Sequence, residues 1–449
     1  MNHRASWYAI GCLFAAAAGC VHLSPERASH PPIIFVHGSG GDAARWITTL
    51  WRFESNGWPR DRLFAFDVIN PTSGPEFDKP YEYATTSAEH TAQLAAEVDR
   101  VRKLTGADKV VLVANSRGGL AVRDYVRNGE GKRVVSHVVL GGTPSRGIWS
   151  TPEYLPRHEF NGVGPYLTSL NAPQGPAGLD VTPGIPFMTI RSDTLDKWTQ
   201  PDGRWFGEPK LQTNVLHTSP ELKGAENIVL PGADHLEISY GPQAFAHTYR
   251  FITGRAPRTT EIVPERSVVL DGMLTVSSPA LTNRPAPNAS MEVHEVDCRS
   301  GERLRQVHTK LTGVDGRWGP MNATPTACYE FVAWTETTAR NHMYRSPFPR
   351  SSSVVHMRLV NLSEENKKAA SAVLMVRSRG FFSLGRTRIS FDGRDPPGVQ
   401  AGVPGVNSST LSLKEAIART VIAEYGDERI AIRTWPTSEN RLARAEFHY

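Results

Sequence analysis

Hydrophobic positions in the first half of the chain follow two alternating patterns. Short apolar runs, Ile33–Val36, Leu63–Val68, Val110–Val113, Val134–Leu140, Ile185–Ile190 and Ile228–Leu230, are separated by longer stretches of helical period. The clearest of these helices has readable limits. Thr86 and Glu89 form a capping box, Leu94, Val98, Val101 and Leu104 make one apolar face, and Gly106 ends it. Another helix, through Leu120, Val122 and Val126, follows Val110–Val113 at once. Strands without polar alternation, separated by helices, predict a parallel sheet covered on both faces. Residues 31–254 are therefore expected to form an α/β domain.

Beyond Gly254 the texture changes. Arg255-Ala256-Pro257-Arg258 reads as a linker, and shorter strands with turn signals follow: Ser267–Val276, Met291–Val296, Tyr329–Trp334, Val354–Leu359, Ala372–Val376 and Thr387–Phe391. This predicts an all-β sandwich or barrel module over 258–350 and a second β-rich region over 351–449. One helix is expected in the latter, capped by Ser412 and Glu415 and lined by Leu413, Ile417, Val421 and Tyr425.

Length and composition narrow the class. A chain of 449 residues fits two or three domains, and 39% hydrophobic with 21% charged residues excludes both a membrane bundle and a disordered chain. The excess of 50 − 45 = 5 basic residues comes without a basic block, so no nucleic-acid partner is expected. The amino terminus has a short basic start (Met1–Arg4), an apolar run (Trp7–Ala18) too short to span a bilayer, and then Ala17-Ala18-Gly19-Cys20. Residues 1–20 read as a signal peptide. Its end resembles a bacterial lipobox with Ala17 where Leu is usual, which implies acylation of Cys20 and attachment to a membrane. Val21 favours the outer membrane, and ordinary cleavage would leave the protein periplasmic or secreted. In an exported protein Cys298 and Cys328 are disulfide candidates.

The chemistry sits in the α/β half. Val110–Val113 runs through Ala114-Asn115-Ser116-Arg117-Gly118-Gly119 into a helix. A strand–turn–helix this sharp demands small residues two before and two after the serine, and Ala114 and Gly118 qualify. Ser116 is thus the candidate nucleophile, although the usual first glycine is replaced by alanine. No metal-ligating cluster and no need for a cofactor are apparent.

The stretch from Pro31 to Gly254 resembles an α/β-hydrolase of the lipase/esterase kind. Phe35-Val36-His37-Gly38-Ser39-Gly40-Gly41 is similar to that family's oxyanion loop. The resemblance implies an oxyanion hole from the backbone N–H groups of Ser39 and Arg117, with His37 structural. The chain order Ser, acid, His points to His235 as the base, after Ile228–Leu230. The acid is expected in the loop after Ile185–Ile190, at Asp193 with Asp196 as the next choice. Asp234 reads as a turn residue. Further stretches (Phe53–Pro59, Thr259–Pro264 and Gly316–Pro320) are similar to archaeal-type lipases with a C-terminal β-barrel lipid-binding domain. The resemblance implies hydrolysis of fatty acyl esters, with lipid or ester as substrate. Polyhydroxyalkanoate cleavage, amide cleavage and a non-catalytic surface-binding role remain alternatives. Pro71–Tyr83 and Arg146–Gly184, with Trp149, Tyr154, Phe160, Tyr166 and Leu170, are candidates for a lid or pocket wall.

Overall fold

In the first half, six strands form one parallel sheet. The structure is a computed structural model that describes residues 30–205, 208–277 and 279–449, so Cys20 and the signal peptide lie outside the described residues. The strands are β1 (Ile33–Val36), β2 (Leu63–Phe66), β3 (Val110–Asn115), β4 (Val135–Gly141), β5 (Phe187–Ser192) and, after a short hairpin of β6 (Arg204–Trp205) and β7 (Glu208–Gln212), β8 (Glu226–Leu230). Their order is β2-β1-β3-β4-β5-β8, with every pairing parallel. The helices are α1 (Ile47–Ser55), α2 (Ser87–Thr105), α3 (Arg117–Asn128), α4 (Gly131–Val134), α5 (Pro165–Leu170), α6 (Glu237–Tyr240) and α7 (Pro242–Thr253).

Side chains of successive strand residues point to opposite faces. Ile34, Val36 and Leu112 therefore pack with Leu94 and Val98 of α2 on one side. Ile33, Phe35, Val111 and Val113 pack with Phe53 of α1 and Phe245 of α7 on the other. The limits of α2 are set chemically: the Thr86 hydroxyl accepts from Glu89 N at 3.1 Å, Glu89 Oε2 accepts from Thr86 N at 2.9 Å, and Gly106 closes the helix at φ 66°. Leu104, expected on the apolar face, is exposed, because the buried stripe of α2 runs through Leu94, Val98, Val101 and Thr105 and leaves it to one side.

The second half is mostly strands: β9 (Val268–Leu270), β10 (Leu274–Val276), β11 (Ser290–Val296), β12 (Arg303–Leu311), β13 (Met321–Ala323), β14 (Cys328–Trp334), β15 (Arg340–Arg345), β16 (Met357–Leu359), β17 (Ser371–Arg377), β18 (Ile389–Phe391), β19 (Ser408–Leu413), β20 (Thr420–Tyr425), β21 (Glu428–Arg433) and β22 (Arg441–Phe447). A seven-stranded sheet runs β12-β11-β14-β15-β22-β17-β19. Because β22 lies parallel between β15 and β17, the division expected at 350/351 does not separate two sheets. Cys298 and Cys328 form a disulfide with Cα atoms 5.4 Å apart.

The helix expected from Ser412 is corrected: β19 ends at Leu413 and β20 starts at Thr420. Leu413, Ile417, Val421 and Tyr425 fit a helical spacing, but the same residues fit a strand's alternation. Val421 and Ala423 are buried on the period of two, while Ile417, which a helix would bury, is 73% exposed.

The two halves share a core. Trp51 of α1 is fully buried among Trp318, Phe331 and Phe348 of the β region, and its Nε1 donates to Ser351 O at 3.0 Å. Within the seven-stranded sheet, Glu330 of β14 is buried and accepts from His342 Nδ1 at 2.7 Å, Arg303 Nε at 2.6 Å and Tyr344 OH at 2.8 Å. Burial alone would raise its pKa, but the His342 and Arg303 hydrogen bonds outweigh it and bring it to about 2. A carboxylate depressed in this way stabilises the fold above its unfolded pKa near 4.5, and that contribution is lost as pH falls through about 2. Burial lowers His342, so its unfolded form takes a proton before its folded form does, which also costs stability in acid. The urea midpoint should therefore fall steadily from about pH 6.5 downwards. In Glu330→Gln the decline below about pH 4.5 should be visibly shallower than in the parent.

Candidate active site

At the end of β3 the chain turns sharply, and Ser116 takes φ 51° and ψ −123°, a conformation that side chains rarely adopt. Such strain persists only where neighbours enforce it. Ser116 N donates to Gly141 O at 2.8 Å. The helix α3 then leaves so close to β1 that a Cβ on Gly118 would lie 2.6 Å from the carbonyl oxygen of His37. Asn115 ties the turn to α6, donating to Ser239 Oγ at 2.9 Å and accepting from Tyr240 OH at 3.2 Å.

The loop after β1 presses on this turn, since a Cβ on Gly38 would sit 2.9 Å from the Ser116 Cβ. His37 is buried, with Nδ1 2.9 Å from Gly38 O and Nε2 accepting from Val68 N at 3.1 Å. That pair of contacts assigns the proton to Nδ1. Burial lowers the pKa of His37, which keeps the ring neutral. Ser39 follows, exposed.

Arg117 occupies the first position of α3, where backbone N–H groups lack helical partners. Its guanidinium points away from the serine and is buried, paired with Glu159 and donating to Thr85 O at 2.6 Å. Glu159 also accepts from Ser87 Oγ at 2.9 Å. The 146–184 insertion is thereby fastened to the turn. Its residues Ile148, Trp149, Phe160, Tyr166, Leu167 and Leu170 bury themselves against Leu120. The 71–83 stretch joins them through Phe77, stacked on Tyr166 at 5.4 Å.

His235 lies in the loop after β8, buried, with Nδ1 2.7 Å from Asp196 Oδ2. The expectation for Asp193 is corrected by this contact. Asp193 leaves β5 too early to reach the imidazole, and its carboxylate instead accepts from Gly232 N at 3.0 Å and Leu195 N at 3.3 Å. Asp196, three residues further, is the buried carboxylate on His235. His217 lines the same cavity but stands outside the pair, and His247 lies in α7. Asp234 is a buried turn residue, accepting from Leu236 N at 2.8 Å and Glu237 N at 2.9 Å.

A cavity of about 110 Å³ is lined by Ser116, His235 and Asp196, with Thr143, Ile148 and Leu216 among its walls. Gly142 was not singled out in the sequence, although the Gly141-Gly142 pair after β4 was a signal. It adopts φ +59°, and a Cβ there would approach His235 Cε1 to 3.1 Å. Among the described residues no group of three or more His, Cys, Asp and Glu is arranged to hold a metal, and no helix is long and apolar enough to cross a membrane.

Fold and site together define an α/β-hydrolase domain followed by an all-β region. Residues 30–143 match the family described as lipase (class 2), and residues 266–362 match the lipase C-terminal domain. In these two stretches the chain is similar to those lipase families. It is 27% identical over 107 residues to a mouse (Mus musculus) protein, (lyso)-N-acylphosphatidylethanolamine lipase, covering 23% of this chain and 28% of that relative. The match thus spans under a third of the relative's length. Among solved structures, the Bacillus licheniformis lipase BlEst2 in mature form is 19% identical, covering 52% of this chain and 95% of that one, with a TM-score of 0.37. Aspergillus fumigatus lipase B is 12% identical, covering 54% and 56%, with a TM-score of 0.36.

Gly142→Ala should displace the His235 ring. The left-handed backbone alone costs about 1–2 kcal/mol for a residue with a Cβ. A modest fall in melting temperature with a much larger fall in turnover of a small ester is the expected outcome, read by calorimetry and a colorimetric assay on the same preparation.

Proposed function

We propose that the protein is a serine carboxylic-ester hydrolase acting on fatty acyl esters, with Ser116 as nucleophile, His235 as base and Asp196 as the acid of the triad. The observation that carries this reading is the 2.7 Å contact of His235 Nδ1 with Asp196, in the one cavity that Ser116 also lines. With its Nδ1 proton held by Asp196, the imidazole offers Nε2 as the base. Ser116 Oγ attacks the ester carbonyl as Nε2 takes its proton, and the backbone N–H groups of Ser39 and Arg117 hold the developing oxyanion. The imidazolium returns that proton to the leaving alkoxide. Water then attacks the acyl-serine, giving one proton to His235, which passes it to Ser116 Oγ as the carboxylic acid leaves. The strained backbone at Ser116 and the buried Arg117–Glu159 pair support this geometry.

The acyl group enters a cavity of about 110 Å³, room for on the order of four water-sized groups. With the 146–184 insertion packed as it is, short acyl chains fit and longer ones require that insertion to move. On p-nitrophenyl esters of increasing length, turnover should peak near four carbons. Ser116→Ala should abolish it and Asp196→Asn should lower kcat about 10⁴-fold. Asp193→Asn should stay within about threefold of the parent, because its carboxylate meets backbone amides and the Ser192 hydroxyl and not the imidazole. Equal turnover in the parent and Ser116→Ala overturns the assignment.

We propose further that the protein is exported and held at the outer membrane or cell surface through an acylated Cys20. The Cys298–Cys328 disulfide supports an oxidising compartment. In fractionated cells, Cys20→Ser should move the protein from the membrane pellet to the soluble fraction, while an unchanged pellet fraction defeats the anchor.

A further inference from the structure

Three loops of the site rest on the β region. On the oxyanion side, Asn283 Nδ2 donates to Gly41 O and Val68 O, both at 2.9 Å, and Arg358 fixes the Asn283 Oδ1 at 2.6 Å. On the acid side, Lys197, which follows Asp196, donates to Gly405 O at 2.9 Å and lies 4.1 Å over the Phe381 ring. The most heavily built of these contacts is on the histidine side. Arg377, the last residue of β17, is buried, with Nη1 3.1 Å from Asp234 Oδ2 and 2.7 Å from Phe381 O. Its Nη2 meets Glu237 Oε1 at 2.6 Å, its Nε donates to Tyr449 O at 3.1 Å, and its guanidinium lies 4.4 Å over Tyr425.

Resting on the reading of His235 as base, we propose that Arg377 is a positioning residue for that histidine, acting through Asp234. The two oxygens of the Asp234 carboxylate face different parts of the molecule. Oδ1 accepts from Leu236 N and Glu237 N, the two amides that follow His235, so the turn carrying the imidazole closes on this atom. Oδ2 faces the β region, accepting from Phe381 N at 2.7 Å and from Arg377. Asp234 is fully buried, and burial raises its pKa, so the guanidinium is what keeps it charged and able to hold both sets of donors. Glu237, which also pairs with Arg386, Lys197, Asp196 on the imidazole and Asp193 on Gly232 N are other charges around this turn.

If Arg377 merely joined two halves of the protein, its loss would lower stability and leave turnover per intact site alone. A positioning role touches the chemical step. The full chain would be compared with Arg377→Met and Arg377→Lys, and active sites would be counted with a fluorophosphonate. Per titrated site, Arg377→Met should lose about 10- to 100-fold in kcat on p-nitrophenyl butyrate with KM within about twofold. Arg377→Lys should recover part of the rate, keeping the charge but not the fork across Asp234 and Glu237. Wild-type kcat per site in Arg377→Met overturns the proposal. Should that variant fail to fold, Asp234→Asn leaves β17 intact and should show the same loss of kcat, and full turnover there overturns it equally. Ser116→Ala, run alongside, separates the two readings. If it is inactive while Arg377→Met is normal, only the positioning role falls. If it retains turnover, the site assignment falls and the positioning role with it.

Discussion

Close approach of backbones at the C-terminal ends of β1, β3 and β4 is the constraint from which the site follows. A parallel sheet brings these ends together, and the first helix after β3 must start there without colliding with β1. With the carbonyl of His37 only 2.6 Å from where a Gly118 Cβ would be, no side chain fits. That intimacy lifts Ser116 out of ordinary backbone space and aims it upward from the sheet edge. It also brings the His37–Gly38 loop beside it. The same crowding at Gly142 gives the His235 ring a flat surface to lie on. The site is built as much from missing side chains as from reactive ones.

Much of this was legible in the sequence, because local rules determine it. Fully apolar strands, the capping box at Thr86 and the small residues around Ser116 each report on neighbours within a few positions. The acid was harder. Asp193 and Asp196 both follow β5, and what distinguishes them is how far the loop travels before it meets His235, a distance set by packing. The residues after Ser412 failed for a different reason, since their apolar spacing satisfies a helix and a strand alike and the sheet partner decides. Arg377 offered no signal at all. It stands more than a hundred residues from Asp234, and only the docking of the two halves brings them together.

That docking gives the β region a second character. Trp51 leaves the α/β half to fill the β core, while Arg377, Phe381, Asn283 and Gly405 carry contacts to the loops of the candidate site. Few of these contacts lie on strands of the parallel sheet itself. They hold the loops, which a sheet alone leaves free, and so they act where precision in the site is otherwise least supported.

The position of β22 carries a consequence for how the protein is made. Residues 441–447 form an inner strand, flanked by β15 and β17, so the large sheet has a gap until those residues are available. Before β22 is made, β15 can pair with β14 and β17 with β19, but neither has its second partner. Pairings between strands so distant in sequence close slowly. Until that strand arrives, the facing edges of β15 and β17 stand open to the wrong partners that an unpaired edge attracts.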